Sequence, residues 1–217
     1  MYYLSKELYF PSLAWVSDEG ILAIGGDLSP ERILLAYQKG IFPWFDKDEP
    51  ILWWCPPKRM VVNPNDYKPP KSVRQLIKKN TFKITQNQAF DQVIRHCQNI
   101  KRQGQNGSWI TDNMVESYLI LHQQGHAKSF EVWQNDQLVG GLYGIDLGQI
   151  FCGDSMFSLV SGASKVAFIS LIDYLKKNSY RLLDCQIYND HLALMGAFEI
   201  ERNLFLKILH KKDDIEQ

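Results

Sequence analysis

Three strand-like runs, SFEVWQ, QLVGGLYGI and QIFCGDSMF, follow one another closely, with Asn135-Asp136 and Leu147-Gly148 marking the turns between them. Connections this short suit antiparallel neighbours and nothing longer, so the runs form a meander. A helix from about Thr111 to Gln124, closed by Gly125, precedes them. After them come a longer helix from Ala163 to Lys177, the strand RLLDCQI, a short helix beginning near Asn189 and a last strand around LFLKIL. This order of helix, meander, helix, strand, helix and strand is α/β (α+β) with mixed sheet connectivity.

The first sixty residues have a different character. They hold four of the six tryptophans and many turn residues, so they read as a small lobe that must bury its aromatic loops against something larger. Domains at 1–62 and 63–217 are the expected division. Within the lobe, Ser29-Pro30-Glu31 supplies an N-cap, a first-turn proline and an acid matched to the helix dipole. Ile33, Leu34 and Tyr37 continue the apolar stripe, and Gly40 closes the helix. A second helix spans Lys71 to Asn80, with Val73, Leu76 and Ile77 inward and Lys71, Arg74 and Lys78 on the other side. From Lys68 to Lys83 there are six basic residues and no acidic one, which is either a solvated face or a phosphate site.

Composition narrows the class. Lys+Arg and Asp+Glu both number 24 in 217 residues, which excludes a uniformly basic nucleic-acid coat and leaves room for a local patch. The four cysteines, Cys55, Cys97, Cys152 and Cys185, form no CxxC pair, against both a thiolate metal site and a disulfide framework. His122 and His126 straddle Gly125 and make a poor metal pair, so no metal is expected. No leader and no bilayer-spanning run is evident, and a cytoplasmic location is the expectation. Neither a nucleophile elbow nor a phosphate loop is present.

Two polar clusters fall at strand ends. On a strand, Asp184 and Gln186 share a face with the apolar Leu182, so RLLDCQI turns polar at its C-terminal end, where open α/β sheets bind ligands. A carboxylate beside an amide can orient and deprotonate an amine, and the same two residues can equally cap a helix and tie a loop. The other cluster is FCGDSMFS. Asp154 suits an ammonium group, while Phe151, Met156 and Phe157 suit either a pocket or the core.

The runs GGDLSPERILLAYQKGIFPWF, PILWWCPP, FEVWQNDQLVGGLYG, FCGDSMFS, ASK and LLDCQIYNDHLALMGAFEI together resemble the leucyl/phenylalanyl-tRNA–protein transferases, from about Phe10 to Leu206 and in the same order. The resemblance implies a small N-terminal domain beside a GNAT-like acyltransferase domain, with no cofactor. It implies transfer of leucine or phenylalanine, and less readily methionine, from aminoacyl-tRNA to the α-amine of acceptor proteins with N-terminal lysine or arginine, which marks them for N-degron proteolysis. By the same resemblance Asp184, Gln186 and Asn189 are the catalytic group. Trp44 and Trp109 stack on the terminal adenosine. Leu142, Phe151, Met156 and Leu171 line the side-chain pocket, and Lys71, Arg74, Lys78 and Lys79 hold acceptor-stem phosphates.

An aminoacyl ester is already activated, so its transfer to an amine needs positioning, a proton acceptor and oxyanion stabilisation. Asp184 is expected to orient Gln186, which bonds the incoming amine; base action by Asp184 and assistance from the ribose hydroxyl stay open. A covalent route through Cys185 is disfavoured because it would point away from its strand neighbours. Three departures from the family pattern stand out: Asp154 where glutamate is usual, Cys55 where serine is usual, and a chain that stops soon after KILHKKDDIEQ. Asp154 suits the acceptor's basic residue, with a shorter reach. A CoA-dependent acyltransferase would need a glycine-rich pyrophosphate loop where FSLVSGASK stands, and a tRNA-binding module without chemistry is the other alternative. Zero net charge and the lack of a coiled-coil pattern are compatible with a monomer.

Overall fold

The computed structural model describes residues 2–46, 49–78, 82–100 and 109–211. In chain order the elements are β1 (Tyr2–Leu4), β2 (Ile21–Gly25), α1 (Pro30–Gln38), β3 (Phe42–Pro43), β4 (Leu52–Trp54) and β5 (Lys58–Val62). Then come α2 (Lys71–Lys78), β6 (Lys83–Gln86), α3 (Phe90–Asn99), α4 (Asp112–Gln123), β7 (Ala127–Gln134), β8 (Gln137–Asp146) and β9 (Ile150–Ser158). The chain continues through α5 (Ala163–Lys177), β10 (Leu182–Asp184), α6 (Asp190–Leu194), β11 (Phe198–Glu201) and α7 (Arg202–His210).

Local chemistry accounts for the helix starts. The Ser29 hydroxyl accepts the Arg32 N–H at 3.4 Å at the head of α1, and Thr111 accepts the Met114 N–H at 3.3 Å at the head of α4. The N-cap of α3 is Ala89, which has no side chain able to cap, so its start signal is missing from the sequence. In α1, buried Arg32 also donates to the Ser5 and Glu7 carbonyls at 3.0 and 2.8 Å, pinning the N-terminal segment.

The strands form two sheets. The smaller has the order β1-β2-β4-β3, and the larger β11-β5-β10-β9-β8-β7-β6. In the larger sheet β7, β8 and β9 pair antiparallel as a meander, while β10 lies parallel to β9, giving the mixed connectivity expected. Strand β5, residues 58–62, pairs with both β10 and β11 inside this sheet. One apolar layer joins the N-terminal lobe, α3 and α4 to one face; α5 covers the other with Val166, Phe168, Leu171 and Ile172. Glycine in LVGGLYG makes the fit possible. A Cβ on Gly140 would stand 2.6 Å from the Ala163 Cβ, and one on Gly144 would stand 2.0 Å from the Cys152 carbonyl oxygen.

Two expectations are corrected. The run LFLKIL is not a strand but the body of α7, and the last strand is Phe198–Glu201. Phe205, Leu206 and Leu209 lie on one helical face and pack at Gly40, and short apolar runs do not by themselves distinguish helix from strand. The strand RLLDCQI stops at Asp184, because Gln186 takes a left-handed backbone with φ +60°.

A single buried ion pair joins these parts. The Arg59 Nε and Nη2 donate to the two Asp184 carboxylate oxygens, each at 2.8 Å, and Nη1 donates to the Gly40 carbonyl at 2.9 Å. The guanidinium is 4.7 Å from the Phe42 ring centroid and 4.5 Å from that of Phe205. Replacing Asp184 by alanine leaves a buried guanidinium without its counter-charge. The expected loss is about 3–5 kcal/mol of unfolding free energy, measured by urea denaturation; a loss under 1 kcal/mol would show the pair is not structural.

Candidate active site

Strands β9 and β10 part company in the middle of the sheet. Leu182, Leu183 and Asp184 pair with Ile150, Phe151 and Cys152, after which β9 runs on to Ser158. The chain after Asp184 stays with β5 instead. The Cys185 N–H donates to the Met60 carbonyl at 2.8 Å, and the Met60 N–H donates to the Gln186 carbonyl at 3.0 Å. A cleft of about 510 Å³ opens where the strands diverge, a volume suited to a small-molecule or cofactor-sized group.

Most of the expected site residues meet here. Trp44, Trp109, Leu142, Asp154, Met156, Leu171, Gln186 and Asn189 all line the cleft. Trp44 is exposed and leans on Trp54, with centroids 5.6 Å apart, and the Trp54 indole N–H donates to the Trp44 carbonyl at 2.6 Å. Leu142 and Leu171 are buried in the apolar wall, beside Phe168 of α5. Phe151 is not brought to the cleft: it is fully buried and packs edge-on against Phe130.

The two carboxylates have opposite situations. Asp184 is wholly buried behind the cleft wall, with both oxygens on Arg59, and its Oδ1 also accepts the Gln186 N–H at 2.9 Å. It therefore acts on Gln186 through the backbone, stabilising a left-handed residue that costs a non-glycine about 1–2 kcal/mol. The side-chain alternation expected of a strand does not apply past this point. Gln186 sends its amide toward the cleft, where the buried Nε2 finds no hydrogen-bond partner.

Asp154 lines the cleft directly. Its Oδ1 accepts the Tyr37 hydroxyl proton at 2.5 Å, and Tyr118 is 3.0 Å from Tyr37. Its Oδ2 is buried and has no partner. Burial pushes its pKa up from 3.8 to about 8, against the lowering effect of the Tyr37 hydrogen bond and of the nearby Tyr118 hydroxyl. An unpaired buried polar atom costs about 1–3 kcal/mol, and two of them lie at this one cleft.

The remaining residues fall at the edges. Asn189 caps α6, its Oδ1 accepting the Leu192 N–H at 3.2 Å, and its own N–H donates to the Met60 sulfur at 3.3 Å. His191 also lines the cleft, and burial and the Lys165 charge lower its pKa. Cys185 faces the cleft, contrary to expectation, because the strand has ended; burial holds its thiol far above the ordinary range, which disfavours a thiolate nucleophile. On α2, Lys71 and Arg74 are exposed, while the Lys78 side chain and Lys79 lie outside the described residues. Among the described residues no group of three or more His, Cys, Asp or Glu is placed to hold a metal, and no helix is long and apolar enough to cross a membrane.

The residue reading did not assign Tyr37 to the site, and it missed Arg59 and Tyr118 altogether. Tyr37 belongs to the apolar stripe of α1, and its polar end matters only because α1 packs beside α4 and β9. Arg59 carried no signal within PPKRM that its charge would be buried.

A mixed sheet splayed open over an apolar cleft, with polar groups at the strand ends, is a fold found among known structures. The solved structure of FemX superposes with a TM-score of 0.53, at 12% identity, covering 75% of this chain and 63% of that one, which speaks to the fold alone. The family model for leucyl/phenylalanyl-tRNA protein transferase matches residues 61–210, and the model for that family's N-terminal domain matches residues 26–57. A leucyl/phenylalanyl-tRNA–protein transferase of Flavobacterium johnsoniae is 58% identical over 212 residues, covering 98% of this chain and 100% of that protein. One from Flavobacterium psychrophilum is 58% identical over 211 residues, covering 97% and 100%. The chain belongs to the leucyl/phenylalanyl-tRNA protein transferase family.

The Asp154 carboxyl gives a stability signature. Its folded-state pKa lies above the unfolded value, so charging it in place opposes folding: the penalty is absent below about pH 4 and complete above about pH 8. Asp154→Asn should therefore raise the melting temperature more at pH 9 than at pH 5, read by thermal melts. Equal changes at both pH values would mean that the carboxyl is not held neutral by burial.

Proposed function

We propose that this protein transfers leucine or phenylalanine, and methionine less well, from aminoacyl-tRNA to the α-amine of acceptor proteins that begin with lysine or arginine, marking them for N-degron proteolysis. The observation that carries this reading is a convergence. Two tryptophans, an apolar wall and two unpartnered polar atoms share one cleft in a chain of this family.

Each part has a physical role. Trp44 and Trp109 receive the terminal adenosine, a contact worth about 1–3 kcal/mol per stacked base. Leu142, Met156 and Leu171 take the transferred side chain, with Phe151 as packing behind the wall. The exposed Lys71 and Arg74 attract acceptor-stem phosphates, and Lys78 and Lys79 of the same basic run are assigned that role from the sequence. The Gln186 Nε2 is the donor for the carbonyl oxygen as it becomes an oxyanion, and Asp184 is the positioning residue that holds Gln186 in its left-handed turn. Asn189 fixes the far lip of the cleft by capping α6.

Transfer of radiolabelled leucine from leucyl-tRNA to a protein beginning with arginine, compared with one beginning with glycine, tests the reaction and its acceptor rule. Label is expected on the arginine protein alone; no label on either, with tRNA bound, would favour a binding module. Gln186→Asn tolerates the left-handed backbone but withdraws the amide by one methylene. It should lower kcat by about 10²–10³, the range for losing one oxyanion donor, while leucyl-tRNA still binds. A narrow apolar pocket should also refuse β-branched isoleucine; equal transfer of isoleucine and leucine would contradict the pocket assignment.

A further inference from the structure

We propose that Asp154 is the catalytic residue that takes the proton from the attacking α-amine, and that Tyr37 and Tyr118 position it. This rests on the transfer reaction proposed above and assigns a step that Asp184 is not placed to perform. A general base must bring a free lone pair within hydrogen-bond reach of the nucleophile. Asp184 is wholly buried, bonded through both oxygens to Arg59 and through Oδ1 to the Gln186 N–H, and does not line the cleft. Asp154 does line it, with Oδ2 unpartnered.

The geometry around Asp154 is that of a held base. Tyr37 has one hydroxyl proton and gives it to Asp154 Oδ1, so Tyr118 donates to Tyr37 in turn. Burial and the Asp154 charge keep both tyrosines protonated, so they act as donors. Tyr37 holds one carboxylate oxygen, Tyr118 holds Tyr37, and the other oxygen is left for the ligand. The unpartnered Nε2 belongs to Gln186, which lines the same cleft. The pair has complementary polarity: Oδ2 accepts and Nε2 donates. A tetrahedral aminolysis intermediate needs that pairing, an acceptor for its N–H and a donor for its oxyanion.

The step balances without an added reactant. The amine lone pair attacks the ester carbonyl carbon, a C–N bond forms, and the nitrogen's proton passes to Asp154 Oδ2. Collapse breaks the bond from carbon to the ribose oxygen, and Asp154 returns the proton to that oxygen. The products are a peptide bond, a free tRNA hydroxyl and an ionised Asp154. The groups bearing on its titration are Tyr37 of α1, Tyr118 of α4, Arg59 of β5 and Asp184 of β10, with Cys152 beside it on β9. Its pKa of about 8 is close to that of a peptide α-amine, about 7.7–8.0, so proton exchange between them is nearly balanced.

The test is single-turnover transfer from leucyl-tRNA to an arginine-initiated acceptor at saturation, from pH 6 to 10. Asp154→Asn should slow the step by about 10²–10⁴ at saturating acceptor, the usual contribution of general base catalysis, with leucyl-tRNA binding unchanged; Asp154→Glu should restore part of the rate. The unmodified protein should show a rate rising with pH to a plateau with its midpoint near 8. Tyr37→Phe removes a hydrogen bond that favours the carboxylate, so the midpoint should move upward. The acceptor's own amine, which titrates nearby, is blind to that substitution. Asp154→Asn within threefold of the unmodified rate, or a Tyr37→Phe profile with an unmoved midpoint, overturns the assignment. Absence of transfer by the unmodified protein overturns the proposed function instead, and the assignment falls with it.

Discussion

The site depends on one buried pair of charges. Arg59 and Asp184 are each almost inaccessible to solvent, and either alone would be costly in the apolar interior. Together they satisfy one another in a two-pronged contact, and the remaining Arg59 donor reaches back to Gly40 in the N-terminal lobe. Two aromatic rings from opposite ends of the chain, Phe42 and Phe205, lie near the guanidinium. The lobe, the central sheet and the last helix are thereby fastened at one point. Such a pair adds little net stability over an apolar replacement, but it tolerates few alternative arrangements of its neighbours.

That fastening also shapes the cleft. Asp184 takes the Gln186 N–H as well as Arg59, and Met60 brackets Cys185 and Gln186 with two backbone hydrogen bonds. The chain therefore follows β5 and leaves β9 at Cys152, and the gap between the diverging strands is the site. The Asp184 carboxylate therefore stands behind the cleft, two residues before the Gln186 amide that lines it. Asp154, on the side of the gap where β9 continues, keeps an oxygen without a partner, and burial raises its pKa.

Much of the fold was legible from local signals. The meander shows itself in closely spaced β-rich runs and two turn pairs, α1 in a cap, a proline and a glycine, and α5 in a long amphipathic stretch. Helix α3 escaped because Ala89 provides no cap, and α7 passed for a strand because a short apolar run fits either period. At the site, the resemblance to a family of unusual motifs located Trp44, Trp109, Met156, Gln186 and Asn189, all of which share one cleft. It also nominated Phe151, which one-dimensional pattern cannot distinguish from a core residue.

The sequence by itself determined the class of architecture, the family, and which short segments carry polar groups at strand ends, because periodicity, capping and motif order are properties of neighbouring residues. Tertiary structure alone decided what those groups do. It buried Arg59 against Asp184, drew Tyr37 and Tyr118 from two helices onto Asp154, and turned Cys185 toward the cleft by ending a strand early. Burial and charge pairing act across residues up to 125 positions apart in the chain, and they set the chemistry of a carboxylate more strongly than its neighbours in sequence do.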